Sequence, residues 1–543
     1  MPSTDIALSA IAAANICLQS GKTLLKAYQD FRDANAQVGD KIVLVKAIWS
    51  RTTIQIEFVK RVANSLGEEH CRIHLEVFEM LQSKLRMANT KIESVLGKGS
   101  NSGVNRWKFI FVREAMDETI SQLEKWQRVF DPTWYLILRI GDEIIDTELS
   151  TPSRLSRDVN LGSPGTETPD DDFTLVPAQR FRGTLGIKKG NEASGKIHIT
   201  LPEDGLAWEN ATQVKYSGTR LIPRAAPKKA RMYAVDTIVC DQTIDISRVR
   251  ADAESLAKKL ARIDPGTFGL LSCSGLVKRK DPETGQLASI NLIFSMKEEM
   301  PKPVALRNHL LHSSGFSLTT VLSVARQLAS AVSYVHTCGF VHKNIRPETV
   351  LVFPEENDMA PFVLGSAYLL GFDSFRSVNF QTLRSGDEAW DRNLYRHPSR
   401  QGLFAHNDYI MQHDVYSLGV CLLELGLWES LVRYQEDGGS DAEDDNKLPL
   451  DSLGLSLQDF EFQGREAAEP SSKIKDHLVE LARSRLPSRM GDKYTSIVVT
   501  CLTCLDEGNE DFGDEEEMRD EDGILVGVRF IEKILFKMNE IVL

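Results

Sequence analysis

The sequence predicts two structural classes in one chain. An all-α helical bundle spans residues 1–146, and an α+β unit in two lobes begins at residue 179. Three observations carry this. Apolar residues recur at three- and four-residue spacing through the first 146 positions. Residues 147–178 then lose all apolar periodicity. Beyond them a β-rich stretch with one helix (179–315) gives way to a mostly helical stretch (316–543).

In the first part, "DIALSAIAAANICLQSGKTLLKAYQDF" places Ile6, Ala10, Ala13, Ile16, Leu24, Leu25 and Tyr28 in helical phase. Further helical segments run over 41–66, 71–97 and 106–130. In the last, Phe109, Val112, Met116, Ile120, Leu123 and Trp126 form one stripe. Breaks are expected at Gly39, Gly67, "GKGSNSG" and Asp131-Pro132. Four or more such helices on short connections make an antiparallel bundle. Residues 147–178, rich in Ser, Thr, Pro and Asp, read as a flexible linker. "GNEASGKI" (190–197) imitates a phosphate loop. Ile197 stands where a magnesium-binding hydroxyl belongs and a strand follows, so a turn is expected there.

Composition narrows the function. The 543 residues carry a net charge of −13, which argues against nucleic acid as a partner, because phosphate binding needs a basic face. The acidic runs at 436–445 and 506–522 read as solvated loops. Eight cysteines lie scattered without disulfide or zinc rhythm, and the Cys501/Cys504 pair reads as core at helical spacing. With no signal-like start and no apolar run of about 18 residues, a cytoplasmic location is expected.

The chemistry concentrates between 318 and 428. "LTTVLSVARQLASAVSYVHTCGF" is an amphipathic helix that leads into "VHKNIRPETVLVF". That loop resembles the catalytic loop of protein kinases, H-R-D-L-x-x-x-x-N. "AYLLGFDSF" stands where the metal-binding D-F-G is expected. "LYRHPSRQG" resembles the end of an activation segment, with Ser399 in place of a glutamate. "HDVYSLGVCLLELGLW" resembles the anchoring helix of the large lobe. The resemblance implies a structural role for Phe372 and for Asp414, which would hold the loop backbone.

The residues that handle phosphate and metal depart from the pattern. In the loop headed by His342, Asn344 replaces the base, Thr349 replaces the second metal ligand, and Gly371 replaces the main one. No V-A-I-K lysine is found; Thr237 or Ile238 is expected in its place. "PGTFGLLSCSG" has the wrong spacing for a phosphate cover and follows the helix. Glu254, without a lysine, is expected to be solvated. Arg346 and Asp373 are the groups that could still meet a ligand. The resemblance therefore implies a pseudokinase with no catalytic residue, no metal ligand and no obligatory cofactor, ATP and magnesium included. The alternatives are an atypical active Ser/Thr kinase using Asp373 for metal, and a passive scaffold.

The layout also resembles filamentous-fungal proteins in which a HeLo or HeLo-like bundle precedes a degenerate kinase-like domain. It is similar in layout to the animal mixed-lineage kinase-like executioner of necroptosis. That resemblance implies incompatibility, cell-death or immune-type signalling through other proteins. It further implies homo-oligomers built through the bundle, and membrane contact on activation.

Overall fold

Helical periodicity in the first part and strand alternation in the second give two compact units in the computed structural model, Met1–Asn191 and Glu192–Leu543. The structure describes residues 4–32, 39–96, 106–150, 175–185, 199–225, 231–240, 245–296, 301–354, 364–377, 385–387, 389–404, 408–434, 447–450, 455–460, 468–512 and 524–542.

The first unit contains α1 (Thr4–Arg32), α2 (Gly39–Val62), α3 (Glu68–Leu96), α4 (Arg106–Ile137), α5 (Glu143–Ser150) and α6 (Val176–Thr184). Small residues turn inward on α1: Ala7, Ala10, Ala13, Ala14 and Cys17 are buried, whereas Ile16 is 43% exposed against expectation. The small face lets α2 and α3 come close. A Cβ on Gly21 would meet the Trp49 ring at 1.8 Å, so this mid-helix glycine is required by packing despite its conformational cost. Trp126 and Phe130 stack at 4.6 Å, with Phe78 on Phe130, to form an aromatic centre. The stripe on α4 holds, with Val112, Met116, Leu123 and Trp126 buried.

Two expected boundaries are corrected. The chain does not break at Asp131-Pro132, because α4 runs through Pro132. The buried Asp131 carboxylate accepts hydrogen bonds from Arg51, Gln55 and Gln127, which pin this turn from α2 and α4. Nor does the linker fill 147–178. Residues 147–150 belong to α5 and 176–178 to α6, and Arg182 of α6 pairs with Asp146 at 2.6 Å. Residues 151–174 and the "GNEASGKI" stretch lie outside the described residues.

The second unit opens with a five-stranded antiparallel sheet in the order β1-β2-β3-β5-β4. Its strands are β1 (Thr212–Gln213), β2 (Arg220–Pro223), β3 (Met232–Val239), β4 (Cys273–Lys280) and β5 (Leu287–Ser295). Between β3 and β4 lie α7 (Ile246–Leu260), capped by Asp245 accepting from Arg248 N–H, and a single helical turn at Pro265–Phe268. Period-two alternation divides the sheet. Ile222, Val235, Val277 and Ile293 join Leu206 in a cluster on one face. Asp236, Leu292 and Leu276, aligned across β3, β5 and β4, share the other face.

A helical part follows. It contains α8 (Leu306–His312), α9 (Leu318–Thr337), α10 (Met411–Leu427) and a long helical stretch α11 (Ala468–Leu502), interrupted at Gly491 with φ +80°. β6 (Val304–Ala305) precedes α8, and between α9 and α10 lie β7 (Phe340–Val341), β8 (Val350–Phe353) and β9 (Ser366–Leu369); β6-β8-β9 form one small sheet. Cys501 and Cys504 are buried thiols against α10; Cys504 Sγ lies 3.2 Å from the Gln412 carbonyl. Among the described residues, no helix is long and apolar enough to cross a membrane.

Candidate functional site

The loop after β7 takes its shape from a buried carboxylate on α10. Asp414 accepts the His342 N–H at 2.7 Å, the Lys343 N–H at 3.0 Å, the Tyr409 hydroxyl at 2.8 Å and His336 Nε2 at 3.0 Å. Burial alone would raise its pKa, but these donors and neighbouring charges hold it below the ordinary value. The two amide bonds hold Lys343 at φ +66°, a strained conformation for a residue with a side chain. Asp414 thus stands where the sequence placed it, at the loop backbone.

Asn344, Arg346 and Thr349 are engaged within the loop or with its neighbours, whereas the buried His342 Nε2 has no hydrogen-bond partner among the described residues. The Asn344 amide donates to Asp373 Oδ1 at 2.9 Å and to the Gly371 carbonyl at 3.3 Å, and its oxygen accepts from Arg346 Nε at 2.9 Å. Arg346 also lies 3.6 Å from Asp391. Thr349 Oγ1 accepts the Arg346 N–H and sits 2.9 Å from the Asn344 and Arg346 carbonyl oxygens. His342 is buried and kept neutral by desolvation, with its ring 4.6 Å from that of Phe372. Glu348, in the same turn, pairs with the fully buried Arg307 of α8, which also binds Glu424 and Ser430.

The metal-loop segment has no room for a carboxylate at its first position. Gly371 adopts φ +81°, and a Cβ there would lie 2.3 Å from Thr349 Cγ2 and 2.8 Å from Thr349 Cβ. Phe372 is buried between His342 and Phe294. The loop is seated on the sheet by Asp236 of β3. Its Oδ2 accepts the Gly371 N–H at 2.7 Å and the Phe372 N–H at 3.0 Å, while Thr219 donates to Oδ1 at 2.6 Å. Burial raises this carboxyl to about 6, against the pull of its three donors, and the charge of Asp373 adds to the rise.

This corrects the sequence reading of β3. The residue facing the loop is Asp236. Thr237 points to the opposite face, accepting from Arg220 and donating to Asn291. Ile238 is buried one step further along the strand. The signal was available: aligning Ala234 with the alanine of V-A-I-K puts Asp236 at the lysine's place. Glu254 is also corrected. It is not a solvated residue but accepts from Lys278 of β4 at 2.7 Å and from Arg250 at 3.1 Å.

The β1–β2 turn carries a tyrosine instead of a glycine-rich cover. Tyr216, at φ +60°, packs 4.7 Å from the Tyr434 ring and 5.8 Å from His312 of α8. The sheet thus grips the helical part at two places, through Asp236 inside and Tyr216 at the mouth. At the replaced glutamate, Ser399 Oγ bonds His413 Nε2 at 3.1 Å and His397 Nδ1 at 2.9 Å, a neutral network. Beside the loop, Arg376, Arg400 and Arg396 crowd Lys343. Burial and these like charges lower its ammonium to about 8.

Comparison with known proteins supports a kinase-like region within the chain. No family model matches the chain. Over 172 residues it is 27% identical to a probable cell division protein kinase of Encephalitozoon cuniculi, covering 31% of this chain and 48% of that protein. The chain thus spans about half the length of that curated relative.

Proposed function

We propose that residues 192–543 form a kinase-like unit without phosphoryl transfer, and that the protein acts as a signalling pseudokinase. The observation that carries this reading is Asp236. A buried carboxylate occupies the place expected for a cation and caps the backbone amides of the metal loop. Phosphoryl transfer depends on positive charge around the phosphates and on metal held by carboxylates. Here the small-lobe group is acidic, the first loop position is a glycine with no space for a side chain, and the base position is an amide bonded to its neighbours. This donor set fits ATP and magnesium poorly, because a triphosphate would meet an acid at Asp236 where a cation is needed, and the like charge of Asp373.

The output is assigned to the helical unit, whose layout fits a HeLo-like bundle engaging other proteins. Cytoplasmic incompatibility or cell-death signalling, with oligomerisation and membrane contact on activation, is the context this reading favours. The competing reading, an active kinase with Asp373 on metal, is disfavoured because Asp373 is held by the Asn344 amide. Full-length protein is expected to show no melting shift with ATP and Mg²⁺, and no phosphate transfer to itself or to a generic protein substrate. Turnover that disappears in Asp373→Ala would overturn the proposal.

A further inference from the structure

Asp236 is a buried acid that bridges two elements. It is 2% exposed, and among the described residues no cation pairs with it. Its ligands are two backbone amides and a hydroxyl. The amides belong to a loop with a glycine hinge, Gly371 at φ +81°, and a buried ring, Phe372. The loop's other attachments are the Leu370 N–H to the Thr349 carbonyl at 2.8 Å, the Asn344 amide to Gly371 and Asp373, and the packing of the Phe372 ring on His342, Phe294 and Phe375.

We propose that Asp236 is a proton-operated latch: the Gly371–Phe372 loop is seated on β3 while the carboxyl carries its proton and is released when the carboxyl ionises. The inference does not depend on whether the cleft transfers phosphate.

The surroundings favour the neutral form. From the loop, Asp373 contributes a second negative charge. From β4, the Cys273 thiol is buried and held protonated, its pKa pushed up to about 12. Lys278 of the same strand neutralises Glu254 of α7. His342 is kept neutral by burial. On β5 the aligned residue is Leu292, and Asn291 turns to the Thr237 side. On β2 Arg220 is likewise turned to Thr237. Protonation keeps every contact. Oδ2 still accepts both amides, and a hydroxyl can accept as well as donate, so the Thr219 bond reverses direction. Ionisation leaves a charge in a dry site, and release returns it to water.

The sign follows from linkage. The carboxyl sits at about 6 when seated, against an ordinary 3.8 in water. Seating is therefore complete at low pH and weakens as the pH rises through that window, levelling above about 6. From these two values, the seating equilibrium falls about tenfold between pH 5 and pH 7.

The test is residue-resolved amide exchange at Gly371 and Phe372 in full-length wild type and Asp236→Asn, compared at equal pH. The two chains share intrinsic exchange rates at these positions, so their ratio reports the latch alone. The asparagine mimics the protonated acid and does not titrate. Wild-type protection is expected to fall about tenfold relative to Asp236→Asn from pH 5 to pH 7 and then level. A ratio that stays flat, or moves the other way, overturns the latch. Thr219→Val supplies an arm that does not need the asparagine variant. Losing the donor raises the seated carboxyl further, so protection should fall more steeply with pH than in wild type. A shallower or unchanged fall overturns the proposal.

Discussion

Gly371 concentrates the cost of restoring kinase chemistry into one residue. A Cβ at this position would lie within 2.8 Å of two Thr349 atoms, and the backbone is at φ +81°. Gly371→Asp must therefore both strain the backbone and push Thr349 out of its bonds to the Asn344 and Arg346 carbonyls. The two effects together are expected to cost about 2–4 kcal/mol. Urea denaturation should show the loss, and phosphotransfer should not appear in the variant. The residue scale is also where sequence reading was weakest. Asn344, Thr349 and Gly371 were legible as losses because their positions are defined by a contiguous motif. Asp236 was not, because a strand without its marker lysine can be aligned in two ways, and a slip of one residue turns every side chain to the other face. Arg346 looked free in the sequence; only the fold brings Asp391 and the Asn344 oxygen to it.

Elements are held by buried ionic groups whose partners are far apart in sequence. Arg307 at the start of α8 is fully buried and serves Glu348, 41 positions on, and Glu424, 117 positions on. Arg307 raises both carboxylates' preference for charge, and Glu348 is lowered to about 2 despite burial. Through Glu348 the cluster fixes the turn that follows Arg346, and through Glu424 it fixes α10 to the segment at Ser430–Leu431. Arg307→Met removes the hydrogen-bonded cation from two buried carboxylates, leaving Glu348 only the charge of Arg346, and is expected to cost about 3–5 kcal/mol. Adding Glu348→Gln and Glu424→Leu should recover a large part of that loss, because the uncompensated charges are then gone. Denaturant midpoints of the single and triple variants check this, and a triple variant weaker than the single one would contradict it. No periodicity marks such a cluster, which is why it escaped the sequence reading. The helices themselves were legible, since the stripe Val112–Met116–Leu123–Trp126 depends only on spacing. Pro132 was misread as a break because its cost is offset by the Asp131 bonds from α2, which a local pattern does not contain.

At the scale of the whole molecule, each unit has a core of its own, large enough for independent stability. The first centres on Trp126, Phe130 and Phe78, and the second on the sheet and on α9 and α10. Full-length protein should therefore unfold in two steps in urea. Trp126→Ala removes a stacked ring and the bond from its indole to the Val77 carbonyl, and it should lower the first unit's stability by about 3–5 kcal/mol. The response of the other step separates a switch from a scaffold. A switch needs the folded state of one unit to change the free energy of the other, typically by about 1–3 kcal/mol. The signalling reading predicts that Trp126→Ala also moves the midpoint of the step belonging to residues 192–543, followed by hydrogen exchange of the β3 and α10 amides across the urea range. If that midpoint stays put while the first unit is weakened, the two units are thermodynamically independent. The kinase-like unit is then a tethered scaffold that carries no message to the bundle.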